Sequence, residues 1–160
     1  MSQTTAPRRE MLEGCPGLLA EPFAPEDIRA GVQAGGKSYY GRLVIQDGTE
    51  EGDLVHPAAA ISDLGVVLGV VSSTHAVVSQ DDGEDPNYDA GKTVQYCRKG
   101  YIWVKIDADV AIGDTVNVLT AAGDEGKFSN TGGTDISAIA RWVRGGLAAD
   151  GAALLELNLK

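Results

Sequence analysis

The sequence predicts an all-β fold, a compact antiparallel β-sandwich or barrel preceded by an extended N-terminal arm. Glycine is frequent, with 21 residues among 160, and aromatic residues make up only 6%. Val, Ile and Leu occur in short runs and not in long stripes with helical spacing. Turn signals such as Asp47-Gly48 and Gly132-Gly133 separate these runs. Short apolar runs joined by tight turns are typical of small all-β domains.

Residues 1–36 are predicted to form the extended arm. Four of the six prolines lie here, and each biases the residue before it away from the helical region. Only residues 26–33, flanked by a proline and a glycine, fit a short helical turn. Leu18, Leu19 and Phe23 are too apolar for a freely solvated linker. We therefore expect the arm to lie against its own domain or against a neighbouring protein.

Residues 37–160 are predicted to form the β domain. The strands are expected at 39–45, 54–57, 66–73, 93–96, 101–106, 115–119, 139–144 and 152–159. In the last of these, every second residue from Ala153 to Leu159 is apolar, which is the period of a half-buried strand. We expect this terminal strand to close the core.

The charge and the cysteines exclude several classes of function. The formal net charge is −10, so the chain repels phosphate backbones, and no basic stripe offsets that repulsion. Nucleic acid is therefore not an expected partner. Cys15 and Cys97 lack a CxxC neighbour, which predicts free thiols and neither a disulfide nor a zinc site. No apolar stretch has the length of a membrane span, so a membrane is not expected either.

The sequence contains no recognisable catalytic constellation, and we expect a protein that is not an enzyme and uses no cofactor or metal. An enzymatic alternative is a small metal-dependent hydrolase that uses His75 and the acidic loop around residues 80–88. The carboxylates of that loop are Asp81, Asp82, Glu84 and Asp85. They do not have the spacing of an EF-hand loop, which favours a solvated acidic loop over a metal site.

The aromatic residues leave two interpretations open. Tyr96, Tyr101, Trp103 and Trp142 would form a stacking platform for sugars if their rings were exposed, as in a glycan-binding or adhesin-like module. On strands of alternating pattern, such residues more often anchor a core or an interface. The exposure of Trp103 and Trp142 separates the two interpretations.

A series of short motifs runs in a fixed order through the second half of the chain. They are GKTV, RKGYIWV, GDTVNV, GKF, ARW and LLELNL, between Gly91 and Leu159. Upstream lie YGRLV at 40–44 and VVLGVV at 66–71. This ordered set resembles the capsid cement, or head decoration, proteins of tailed bacteriophages. The proline-rich arm and the loop at residues 81–88 depart from the family pattern.

The resemblance implies a non-enzymatic structural protein of the virion, made in the host cytoplasm and placed on the outer surface of the capsid. It would bind at junctions between subunits of the major capsid protein and stabilise the shell. It would also associate with itself, as a homotrimer or else as a dimer. The expected capsid or oligomer contacts are Leu18, Leu19, Phe23, Tyr101 and Trp142. Serine at the three arm positions is expected to weaken attachment while the fold stays intact.

Overall fold

The computed structural model describes residues 15–20, 27–46, 54–72 and 86–159. Their regular structure is almost entirely β-strand, which confirms the all-β prediction. The strands are β1 Asp27–Gln33, β2 Ser38–Tyr39, β3 Leu43–Ile45, β4 Leu54–Pro57, β5 Val67–Val71, β6 Asn87–Tyr88, β7 Thr93–Lys105, β8 Asn117–Val118, β9 Phe128–Ser129, β10 Thr134–Asp135, β11 Ala140–Arg144 and β12 Ala152–Asn158. A short 3-10 helix covers Leu64–Val66. None of the helical structure in the described ranges is long and apolar enough to cross a bilayer.

Five strands form a closed ring. The main sheet has the order β1-β4-β3-β5-β7-β12-β11, and β1 also pairs with β7, which joins the first strand of this order to the fifth. The β1–β4 pairing is parallel, whereas the β1–β7 pairing is antiparallel. Closing the ring satisfies backbone groups that an open sheet would leave at its edges. The result is a barrel-like sheet that β12 and β11 extend.

Strand β7 is the centre of this arrangement. It is 13 residues long and pairs with β1, β5 and β12. The sequence predicts two strands here, at 93–96 and 101–106, but the structure has one continuous strand. Gly100, at a φ of 123°, lies within it and pairs with Leu157. The polar residues between the two predicted runs are therefore part of the strand.

Residues Asp27–Gln33 form strand β1, so the helical turn predicted at 26–33 is wrong. Val32 pairs with Thr93 of β7 and with Leu54 of β4. Pairing with two strands that are remote in sequence outweighs the local helix signal. The division into an arm at 1–36 and a domain at 37–160 stays a prediction. Strand β1 falls in the predicted arm and is hydrogen-bonded into the sheet.

The core occupies both faces of the ring strands. On β3, Leu43 and Ile45 belong to the main apolar cluster, while Val44 belongs to a second cluster. The main cluster also contains three buried side chains of β12, Ala153, Leu155 and Leu157, while the buried Ala152 belongs to a third cluster. The predicted terminal strand is therefore present and half-buried, and it pairs with both β7 and β11, although the ring itself is closed by the β1–β7 pairing.

Gly126 is fixed by close packing, which gives a test of the fold. Its φ is +80°, and an added Cβ would overlap the carbonyl oxygen of Leu43 and lie 2.9 Å from the Leu43 nitrogen. We expect Gly126→Ala to lower the free energy of unfolding by roughly 2 to 5 kcal/mol, because backbone strain and overpacking add. The measurement is urea denaturation of the variant and the wild type.

Gly123→Ala is the matched control for this substitution. Gly123 also has a positive φ, +88°, but an added Cβ would meet nothing within 4 Å. Only the strain of the left-handed conformation then remains, which costs about 1 to 2 kcal/mol. Equal losses in the two variants would contradict the packing argument.

Candidate interaction surfaces

Residues 15–20 lie along strand β7 of their own chain. The Gly17 N–H donates to the Trp103 carbonyl oxygen at 2.8 Å, and the Trp103 N–H donates to the Leu18 carbonyl oxygen at 2.9 Å. Leu19 pairs with Ile102 as an isolated antiparallel bridge. This part of the predicted arm is thus held by backbone hydrogen bonds to the sheet.

Leu18 and Leu19 contribute to different apolar clusters. Leu18 packs with Tyr101 and Leu154 around the buried Trp103, whereas Leu19 packs against the main core. Of the five predicted contact residues, the structure therefore brings Leu18 and Tyr101 together. Leu18, Tyr101 and Leu154 are all half-buried, and we call their surface the arm patch. Phe23 lies outside the described residues.

Both tryptophans are buried. Trp142 is 3% exposed, donates its indole N–H to the Thr115 carbonyl oxygen at 3.1 Å and meets the Phe128 ring edge to face. Trp103 is 8% exposed, and the Arg144 guanidinium lies 5.7 Å from its ring centroid. Neither ring offers the open face that stacking on a sugar requires. Trp142 is a core residue, which leaves its indole no surface for a partner.

The candidate metal site falls outside the described residues. His75, Asp81, Asp82, Glu84 and Asp85 all belong to the undescribed range 73–85. Within the ranges that the structure describes, no three His, Cys, Asp or Glu side chains are grouped so as to hold a metal ion.

A second surface, which no motif of the sequence indicates, lies between loops 107–114 and 145–151. Val110 and Gly146 join the loops as a β-bridge with hydrogen bonds of 3.0 and 3.1 Å. Ile112 is 71% exposed and Leu147 is 57% exposed, the highest values among the large apolar side chains described. An open cleft of about 520 Å³ lies between the loops. We call this cleft, with the two exposed side chains, the loop cleft.

Side-chain hydrogen bonds hold the two loops in place. The Asp114 carboxylate accepts from the Ala111 N–H at 2.9 Å and from the Asn130 amide at 3.0 Å. The same amide donates to the Asp109 carbonyl oxygen, and the Asp109 carboxylate accepts from the Ala148 N–H at 2.7 Å. The hydrogen bonds from Asn130 and then Ala111 keep the pKa of Asp114 below its usual value. The loops are therefore preformed.

The contact of Leu18 with Trp103 allows a fluorescence test of the arm's position. We expect Leu18→Ser to admit water to the Trp103 ring, to shift the emission to longer wavelength and to increase quenching by acrylamide. The physical reason is that Leu18 packs against the apolar cluster that contains Trp103, so its replacement opens this cluster to water. Cys15→Ser is the control, because Cys15 is exposed at the start of the same segment. An unchanged spectrum for Leu18→Ser would show that residues 15–20 do not cover Trp103 in solution.

Comparison with known proteins supports the resemblance drawn from the motifs. Residues 2–159 match the model of a phage family described as structural cement protein (E217 gp24/Pam3 gp6). No curated protein sequence matches the chain. The fold is similar to a chain in the solved structure of the capsid of Myoviridae phage XM1, with a TM-score of 0.65, 12% identity and 89% of each chain covered. At this identity the likeness shows a shared fold. Because the family model spans almost the entire chain, this protein belongs to the phage structural cement protein family.

Proposed function

We propose that this protein binds the outer surface of a phage capsid at junctions between major capsid subunits and stabilises the assembled shell. The match of residues 2–159 to the structural cement family carries the proposal. The fold shared with a chain of the phage XM1 capsid supports it. The role is mechanical, and it requires shape and surface contacts without a catalytic step.

A closed ring of strands suits such a role. Strand β7 is fixed along its length by β1, β5 and β12, so the surfaces that it supports have a defined shape before they meet a partner. Binding by preformed surfaces loses less conformational entropy than binding by loops that must first become ordered. The rigid core thereby favours tight association from a modest contact area.

Stabilisation of the shell follows from preferential binding. A ligand that binds the assembled shell and not its free subunits stabilises the shell by about 2.7 kcal/mol per site when its free concentration is 100 times the Kd. Two contact surfaces on one molecule also raise the effective concentration of the second contact once the first has formed. Many weak contacts repeated over the shell then add to a large stabilisation of the assembled state.

The arm patch is the proposed first contact. Leu18 and Tyr101 lie together on it, and their half-buried side chains have apolar area left to cover. Leu19 and Phe23 stay in the proposal as arm contacts, while the buried Trp142 is left out. Serine at Leu18 would affect the fold as well as attachment, because Leu18 packs on its own domain. The variant therefore needs a stability measurement beside the binding measurement.

We further propose a homotrimer on the shell, with a dimer as the second candidate. Three subunits meet at a local threefold junction, and a symmetric trimer contacts all three equally. Cryo-electron microscopy of decorated shells is expected to show density at these junctions. Density at twofold positions, or isolated monomers, would contradict the trimer.

Sedimentation with purified shells tests the proposed function directly. The wild-type chain is expected to sediment with assembled shells and to stay in the supernatant when mixed with free capsid subunits. Binding to free subunits with equal affinity would remove the mechanism of stabilisation. No binding to shells would overturn the proposed function.

A further inference from the structure

We propose that the loop cleft is a second docking surface, which receives an Arg or Lys side chain of the major capsid protein while Ile112 and Leu147 pack on apolar surface beside it. The proposal rests on the proposed function, since it specifies the partner's chemistry at the shell. The residues that line the cleft are different from those of the arm patch.

The two exposed side chains are not needed by the loops that carry them. Ile112 lies inside a turn that the Asp114 N–H closes on the Ala111 carbonyl oxygen at 3.2 Å. Leu147 begins a turn that the Asp150 N–H closes at 2.9 Å. Turns favour Gly, Asn, Asp, Ser and Pro, so large apolar residues gain nothing locally here. Exposed apolar groups on adjacent loops are typical of an interaction site.

The charges of the cleft specify the polar part of the partner. Asp109, Asp114 and Asp150 line it together with Val110, Ala111 and Leu147, and no cationic side chain is among the described lining residues. Asp109 and Asp114 already accept hydrogen bonds, but a carboxylate has about four lone-pair sites and can accept more. A guanidinium or ammonium group would make charge-assisted hydrogen bonds there. Its aliphatic stem would lie along the apolar lining.

The geometry of the cleft agrees with a long side chain as the occupant. A volume of about 520 Å³ accommodates an Arg or Lys side chain together with part of the surface that carries it. Because Asn130 and Ala148 hold the loops in place, the cleft exists before the partner arrives. Preorganised loops lose little entropy on binding.

The carboxylates of the cleft also argue against two other kinds of partner, a molecule that carries phosphate groups and a second copy of this chain. Phosphate groups would be repelled by the three carboxylates, and the chain as a whole carries a net charge of −10. A second copy presenting this same face would bring like charges together, which is unfavourable at an interface. A capsid subunit with a basic and apolar surface is the partner that fits both the carboxylates and the exposed side chains.

The main test compares two variants on assembled shells. Ile112→Ser combined with Leu147→Ser is expected to weaken binding at least about tenfold, as for the loss of an apolar interface anchor. Val32→Ser is the matched control, because Val32 is 43% exposed but lies on β1, which contributes no residue to the lining of the cleft. Its affinity is expected to stay within about twofold of the wild type. Far-UV circular dichroism and thermal melts check that both variants fold.

Two further measurements identify the partner. Asp150→Lys is expected to weaken binding to shells, because it removes one of the carboxylates that line the cleft and puts a cation where the partner's Arg or Lys would bind. A photo-crosslinking amino acid at position 112 is expected to attach to a basic segment of the major capsid chain, whereas the same group at position 32 is not. A crosslink from position 112 to a second copy of this protein would overturn the assigned partner.

The outcomes separate this proposal from the proposed function. If the wild type binds shells and the double variant binds equally well, the loop cleft is not a docking surface and the proposed function stands. If the wild type does not bind shells, the proposed function fails, and this proposal fails with it.

Discussion

Removal of residues 153–160 is expected to abolish cooperative folding. Strand β12 pairs with β7 from Ala152 to Asn158 and with β11 on its other side. Its loss would leave β11 without a partner strand in the described sheet and would expose an edge of β7. It would also remove Leu155 and Leu157 from the main core, at about 1.5 to 3 kcal/mol for each large side chain. The two leucines alone account for about 3 to 6 kcal/mol, which already reaches the lower end of the total stability of a typical domain, about 5 to 15 kcal/mol, before the lost strand pairing is counted.

Point variants on β12 calibrate the effect of the truncation. Leu155 is fully buried, so Leu155→Ala is expected to cost about 2 to 5 kcal/mol. Asn158→Ala is the control on the same strand, because Asn158 is exposed, and its effect is expected to stay within about 0.5 kcal/mol. Far-UV circular dichroism and thermal melts measure all three proteins. A soluble truncation that melts cooperatively would contradict the central place of β12.

The sequence predicts an element well where a local pattern alone determines it. Strand β12 shows this, because alternating apolar residues specify both a strand and its buried face. Strand β1 shows the opposite. Its local sequence fits a helical turn, and only pairing with β4 and β7, which are far along the chain, makes it a strand. Local propensity contains no information about partners of that kind.

The contact residues also divide into features that a local pattern indicates and features that depend on contacts remote in sequence. Apolar side chains in the arm correctly indicate that Leu18 and Leu19 lie against protein, but their sequence does not specify which protein. Trp142 fits a core or an interface equally well until its burial is known. For Ile112, the following Gly113-Asp114 signals the turn. The exposure of the side chain, and the bridge from Val110 to Gly146 that joins its loop to the loop of Leu147, are features that no local pattern reveals.

Attachment to the shell is expected to persist at raised salt and to raise the temperature at which the shell fails. The exposed apolar groups Ile112 and Leu147 and the arm patch supply contacts that salt does not weaken. The carboxylates that line the loop cleft would be covered by the partner's cation, and salt screens such covered pairs less than the exposed charges, which it screens over about 10 Å at 0.1 M. A protein held by phosphate contacts would instead lose affinity steeply as salt rises.

The measurement is a salt series on decorated capsids, followed by heating. Capsids are washed from about 0.1 to about 1 M salt, a range over which the screening length falls from about 10 to about 3 Å, and the retained protein is quantified on gels. Decorated and stripped shells are then heated, and genome release is recorded against temperature. Decorated shells should release their genome at the higher temperature, because a ligand specific to the assembled state stabilises that state. Complete release of the protein at moderately raised salt, or the same release temperature for both kinds of shell, would contradict the cement function.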